Sequence, residues 1–128
     1  MEVIDVVAAV VEREGRYLIT RRLEGTHLAG LWEFPGGKIH PTERPEDALQ
    51  RELREELAVE ASVGRLLDTV TWIYPEKTVR IHFFECDVLG EPHPQESQEM
   101  RWVEAAALSS YAFPAADLTL VQRLSGAR

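Results

Sequence analysis

The chain has 128 residues, of which 45% are hydrophobic and 28% charged, a globular balance suited to one compact domain. Its 22 acidic and 14 basic residues leave a formal net charge of −8, which argues against a nucleic-acid polymer as partner, because phosphate backbones are bound by Lys/Arg faces. No apolar run reaches the roughly 20 residues that cross a bilayer. Met1-Glu2-Val3-Ile4-Asp5 carries acid where an export signal carries positive charge, and the single Cys86 cannot close an internal disulfide, so a cytoplasmic setting without membrane contact is expected.

Val3 to Val11 is a nearly continuous apolar run, the pattern of a strand buried on both faces. A polar turn at Glu12 to Gly15 leads into a second strand, Tyr17-Leu18-Ile19-Thr20. Gly25 to Gly30 reads as a loop, followed by Leu31-Trp32-Glu33-Phe34 and a breaker, Pro35-Gly36-Gly37. A helix starts near Pro45, where proline suits the first helical position and Glu46 and Asp47 suit the positive end of the dipole. Ala48, Leu49, Leu53 and Leu57 give it one apolar stripe. Strands follow at Ser62 to Ile73 and Val79 to Val88 around a Pro75-Glu76-Lys77 turn, then a short one at Arg101-Trp102-Val103. A last helix is expected over Ala115 to Leu124 with Leu118, Leu120, Val121 and Leu124 inward. The mixture predicts an α/β domain with helices on both sides of a mixed sheet. Cys86 sits in an apolar stretch and reads as a small buried hydrophobe.

The first helix carries the chemistry. Glu52, Glu55 and Glu56 stand at i, i+3 and i+4 and share one face. An acidic helix face is most often only solvated, here with an Arg51–Glu55 ion pair. Two features point elsewhere: Leu53 and Leu57 set the acids at the edge of the buried stripe, and a Gly-Gly turn before the helix brings bare backbone carbonyls near them. Clustered hard oxygens are what Mg²⁺ or Mn²⁺ selects.

The stretch from Gly37 to Val59 resembles the signature of the Nudix hydrolases, G-x5-E-x7-R-E-U-x-E-E-x-G-U with U aliphatic. Gly37, Glu43, Arg51, Glu52, Leu53, Glu55, Glu56 and Val59 fall at its spacings, and Ala58 replaces the glycine near the helix C-terminus. The resemblance implies a single Nudix domain over residues 1–128, with a mixed curved sheet between helices. It implies Glu52, Glu55 and Glu56 as metal ligands joined by the Gly36 carbonyl. It also implies Glu43 as a support of that cluster, and Arg51 as the residue orienting a catalytic glutamate through a bidentate contact.

Beyond that box the chain resembles the MutT branch and its cytidine-triphosphate relatives. Leu18-Ile19-Thr20-Arg21-Arg22 is similar to a segment whose arginine, here Arg22, meets phosphate, and Trp32 to Ile39 to one that places Lys38 beside it. Glu96-x-Gln98-x-x-x-Trp102 resembles a loop that delivers a fourth carboxylate, Glu96, to the metals. Phe113-Pro114-Ala115-Ala116-Asp117 resembles the base-reading stretch, with Asp117 in place of an asparagine; Asp117 also suits the N-cap of the last helix. Asparagine offers a donor and an acceptor, whereas an ionised aspartate only accepts, which suits the amino group of cytosine. A carboxyl kept protonated by burial would still read 8-oxoguanine. Ile4, Val6, Phe34 and Tyr74 are implied pocket walls.

The activity implied is magnesium-dependent hydrolysis of nucleoside triphosphates to monophosphate and pyrophosphate, by a monomer or homodimer. It would serve removal of 8-oxo-dGTP or turnover of CTP, dCTP or 5-methyl-dCTP. Alternatives are a Nudix enzyme for sugar nucleotides or dinucleoside polyphosphates, and a catalytically silent nucleotide-binding domain.

Overall fold

A computed structural model of the protein describes residues 2–126. In chain order it holds β1 (Val3–Arg13), β2 (Arg16–Arg21), β3 (Trp32–Glu33), β4 (Gly36–Lys38), α1 (Pro45–Leu57), β5 (Glu60–Ile73), β6 (Thr78–Leu89), β7 (Met100–Glu104) and α2 (Leu118–Leu124), with 3₁₀ turns at Ala105–Ser110 and Ala115–Asp117. The strands run in the order β3-β2-β1-β6-β5, with β4 added to β1 and β7 to β2. β1 and β6 are parallel; the other pairs are antiparallel. The sheet is therefore mixed, as the sequence predicts.

Both faces of β1 are covered, which is why it reads as unbroken apolar sequence. Val7, Ala9 and Val11 pack with Leu49, Leu53 and Leu57 of α1, all three of these leucines fully buried. Ala8 and Val10 point the other way, into a second cluster with Phe34, Phe83, Leu120 and Val121. One helix thus lies on each face. Cys86 is buried in the first cluster, and burial pushes its thiol up to about 12, consistent with an inert core position. No helix among the described residues is long and apolar enough to cross a membrane.

Three local expectations are corrected. Pro35-Gly36-Gly37 is not simply a breaker: Gly36–Lys38 forms β4 and pairs with Val6–Ala8 of β1. A Cβ on Gly36 would stand 1.9 Å from the Val7 carbonyl oxygen, so only glycine allows the approach. The last helix is shorter than expected, since Ala115–Asp117 is a 3₁₀ turn. Leu118 is 46% exposed rather than inward; two residues before Leu120, it falls about 200° around the helix from it. The buried face is made by Leu120 and Val121, with Leu124 packed at its edge.

The departure at Ala58 is absorbed by the backbone. Ala58 ends α1 in the left-handed conformation (φ 55°, ψ 38°) and donates its N–H to the Arg54 carbonyl at 3.1 Å. The signature's glycine would occupy this conformation without strain.

Candidate active site

The site is assembled where α1 passes beneath β4. Glu52 lies directly against the second glycine: a Cβ on Gly37 would be 2.4 Å from Glu52 Cδ. The glycine pair thus does two jobs, letting β4 close on β1 and leaving space for a carboxylate.

Arg51 holds the acids in place. Its Nε donates to Glu43 Oε2 (2.7 Å) and its Nη2 to Glu43 Oε1 (2.9 Å), a two-pronged pair. Its Nη1 reaches Glu52 (3.0 Å) and Glu55 (2.8 Å), and Nη2 also donates to the Lys38 carbonyl (3.0 Å). The guanidinium beside Glu43, aided by the His40 backbone N–H, lowers that carboxyl to about 2. The bidentate partner is therefore Glu43, while Glu52 and Glu55 receive single contacts. Glu55 is drawn outward, its side chain 58% exposed.

Glu56 faces the opposite way. Burial, then the charges of Glu33, Glu52 and Glu96, push it up to about 9. Glu33, at the end of β3, is also raised by burial, against the pull of Arg22. Glu33 Oε1 accepts from Arg22 Nη1 at 3.0 Å. Four carboxylates, Glu33, Glu52, Glu56 and Glu96, are thus gathered with two arginines, Arg22 on Glu33 and Arg51 on Glu52. A group of this kind is relieved by taking up protons or by a divalent cation.

Beside these acids lies a pocket of about 280 Å³ lined by Ile4, Val6, Phe34, Gly36, Lys38, Tyr74 and Asp117, among others. Arg22, Glu33 and Glu56 line it too, and the same three border a second cavity of about 190 Å³ that includes Glu96 and Gln98. The two cavities are halves of one cleft, apolar at the Asp117 end and acidic at the Glu96 end. Asp117 is 4% exposed and makes no cap hydrogen bond to α2, so its N-cap role is not taken up. Burial, aided by Glu33 and opposed by Arg22, raises Asp117 to about 7.

A model of the NUDIX domain matches residues 6–123. The chain belongs to the Nudix family. It is 40% identical over 125 residues to the 8-oxo-dGTP diphosphatase of Haemophilus influenzae, covering 96% of this chain and 92% of that protein. It is 36% identical over 129 residues to the CTP pyrophosphohydrolase of Escherichia coli, covering 100% and 96%. Among solved structures, it is similar to the solution structure of the E. coli ORF135 protein (TM-score 0.85, 36% identity, 100% of this chain and 94% of that one). It is also similar to the crystal structure of the MutT protein from Methanosarcina mazei Go1 (TM-score 0.86, 28% identity, 95% and 92%).

Nudix hydrolases as a family use divalent metal ions. Among the described residues, no three His, Cys, Asp or Glu side chains are already close enough to form a cation shell. The donor set nonetheless fits one: all hard oxygen, crowded enough to hold Glu56 at about 9, and bordered by the glycine turn.

The Nudix signature residues do not all converge. Glu56 lines both halves of the cleft and Glu96 its acidic end, Glu52 lies behind the lining residue Gly37, and neither Glu52 nor Glu55 lines either half. Every substrate-side residue named from sequence, namely Arg22, Lys38, Phe34, Tyr74, Asp117, Ile4 and Val6, lines the larger pocket. The Phe34 ring, however, is stacked on Phe113 at 5.4 Å and edge-on to Phe83 at 6.1 Å, and Phe34 is 2% exposed; its faces belong to the core. Tyr74 keeps a wall position, its hydroxyl accepting from the Ala116 N–H at 3.4 Å. Sequence reasoning missed Glu33, Val79 and Ile81. The last two complete the apolar wall because β6 is the parallel partner of β1, Val79 opposite Ile4 and Ile81 opposite Val6.

Proposed function

We propose that this Nudix enzyme hydrolyses nucleoside triphosphates to nucleoside monophosphate and pyrophosphate. The supporting observation is the single cleft: a buried carboxyl suited to reading a base at one end, a carboxylate cluster at the other, and Arg22 between. A nucleotide laid along it puts its base against Asp117 and its phosphates toward Glu56 and Glu96.

Glu52, Glu56, Glu96 and the Gly36 carbonyl would hold Mg²⁺, or Mn²⁺ in its place, with Glu55 joining them only by turning away from Arg51, and the metal would neutralise the triphosphate and acidify a water. Arg22 and Lys38 meet phosphate oxygens. The water oxygen bonds to the β-phosphorus as the bond to the α,β-bridging oxygen breaks, which leaves monophosphate and pyrophosphate. Glu96 takes the water's proton in this scheme, because Glu55 is turned outward onto Arg51.

For the base, an ionised Asp117 accepts from the amino group of cytosine, and a protonated one donates to O6 of 8-oxoguanine. With Asp117 raised to about 7, both forms are present near neutrality. Cytidine triphosphates are the primary substrates in this reading and 8-oxo-dGTP the second. Retention of every signature carboxylate supports an enzyme over a silent binding domain.

The test is a rate comparison of CTP, dCTP, 5-methyl-dCTP, dGTP and 8-oxo-dGTP with Mg²⁺, with products identified. Monophosphate and pyrophosphate, with a cytidine triphosphate fastest at pH 8, are expected. Release of inorganic phosphate alone, or turnover only of nucleoside diphosphate-linked compounds, would refute the proposal.

A further inference from the structure

We infer that Gln98 is a positioning residue that ties the fourth carboxylate, Glu96, to the C-terminal end of α1. This inference rests on the carboxylate roles proposed above. Gln98 is 9% exposed, one of few polar side chains in the interior. Both ends of its amide are used: Oε1 accepts from the Glu96 N–H at 2.9 Å, and Nε2 donates to the Glu56 carbonyl at 3.3 Å. One side chain therefore bridges the backbones of two acids that face the same cavity, and it lines that cavity itself.

The surrounding loop shows why such a bridge is needed. The last carbonyls of a helix have no partners within it. Here they are claimed by the loop: His93 N–H donates to the Leu57 carbonyl at 2.8 Å and Gln95 N–H to the Glu56 carbonyl at 2.9 Å. Ser97, between Glu96 and Gln98, has φ 59°, a left-handed conformation unfavourable for a residue with a Cβ. The Gln98–Glu96 bond closes this turn and holds it against relaxation. Without it, Glu96 and Ser97 span the gap between the Gln95 anchor on α1 and Glu99, whose carbonyl accepts from the Arg21 N–H at 3.0 Å, with no bond of their own. Partners that orient a ligand without touching the metal typically set metal affinity by about 10–100-fold.

The experiment replaces Gln98 by Met, of similar length without the hydrogen bonds, and measures two things. In metal-free protein, hydrogen exchange at the Gln95 and Glu96 amides is expected to accelerate at least about tenfold while α1 remains protected. In steady state, the Mg²⁺ concentration for half-maximal rate is expected to rise about tenfold or more, with KM for nucleotide within about twofold and the rate recovering at saturating Mg²⁺. A purely structural role would instead lower thermal stability and leave the Mg²⁺ requirement unchanged, which overturns the inference. If Gln98→Met does not fold, Gln98→Asn, which keeps the amide but is one methylene too short for both partners, gives the same comparison. Glu96→Gln is run alongside. A rate loss there with a wild-type Mg²⁺ requirement in Gln98→Met overturns this inference alone; wild-type behaviour of Glu96→Gln overturns the reading beneath it.

Discussion

Gly37 presents its bare α-carbon to the carboxylate of Glu52, so that a single methyl on the glycine would stand 2.4–2.6 Å from Cδ and both carboxylate oxygens. A methyl on Gly36 would instead stand 1.9 Å from the Val7 backbone oxygen. The clash at Gly37 meets the end of a flexible side chain, and the clash at Gly36 meets a strand. Gly37→Ala is therefore expected to fold normally and to lose roughly 100-fold in kcat, because a misplacement of about 1 Å at reacting groups costs that much. Gly36→Ala is expected to lose β4 pairing and stability. Steady-state kinetics and thermal melts of both variants check the contrast; equal melting losses would contradict it.

Asp117 sets a pH dependence of base choice. Its carboxyl is raised to about 7, so it is mostly protonated at pH 6 and mostly ionised at pH 8. The ratio of kcat/KM for dCTP over 8-oxo-dGTP is expected to rise on the order of 100-fold across that interval, because the ionised form serves one substrate and the protonated form the other, and their ratio changes about tenfold per pH unit. Because both substrates carry the same triphosphate, other titrations cancel in the ratio. Asp117→Asn should make the ratio flat and shift it toward 8-oxo-dGTP. Competition assays at several pH values decide this, and a flat wild-type ratio would rule out Asp117 as the base-reading group.

Ala58 holds a left-handed conformation that glycine adopts freely. The strain for a residue with a Cβ is about 1–2 kcal/mol, partly offset by the greater chain entropy glycine has when unfolded, about 0.4–1 kcal/mol. Ala58→Gly is expected to stabilise the fold by about 0.5–1 kcal/mol without changing turnover. Urea unfolding curves measure it.

Asp5 joins β1 to β6 through Arg80 (2.6 and 3.0 Å) and His82 (3.0 Å). The Arg80 hydrogen bond, then that of His82, lowers Asp5 from 3.8 to about 2. A carboxyl lowered on folding stabilises the protein above its unfolded pKa, and the gain is lost as pH falls from about 4 toward 2. The pair is partly exposed, with side chains 34% and 43% accessible, so the gain is below about 1 kcal/mol. Asp5→Asn is expected to be slightly less stable than wild type at pH 6, with the gap closing by pH 2. Denaturant melts across that range test it; a gap that persists at pH 2 would assign the loss to packing.

Much of the site could be read locally. The helix spacing of Glu52, Glu55 and Glu56, the stripe of Leu49, Leu53 and Leu57, and the segments carrying Arg22, Lys38 and Asp117 each lie within a few residues of sequence. What escaped was set by long-range pairing. Val79 and Ile81 join the pocket because β6 lies parallel to β1, a register no single strand encodes. β4 is three residues long and hidden in a Pro-Gly-Gly run whose glycines answer to a neighbouring strand. Glu33 lies in a short, mostly apolar stretch that by itself marks no partner, and its pairing with Arg22 brings residues eleven apart together beside the β2–β3 pair. Leu118 opens α2 about 200° from the buried Leu120, so the helix buries the Leu120–Val121 face and leaves Leu118 at 46% exposure.

The central claim is that divalent cations lie between these acids and the phosphates of a nucleotide. Diffraction from crystals grown with Mn²⁺ and a non-hydrolysable cytidine triphosphate analogue, using manganese anomalous scattering, tests it most directly. Anomalous peaks within about 2.5 Å of the carboxylate oxygens of Glu52, Glu56 and Glu96 and of phosphate oxygens, with the base beside Asp117, are expected. Nucleotide bound in the cleft with no manganese at those side chains would contradict the account.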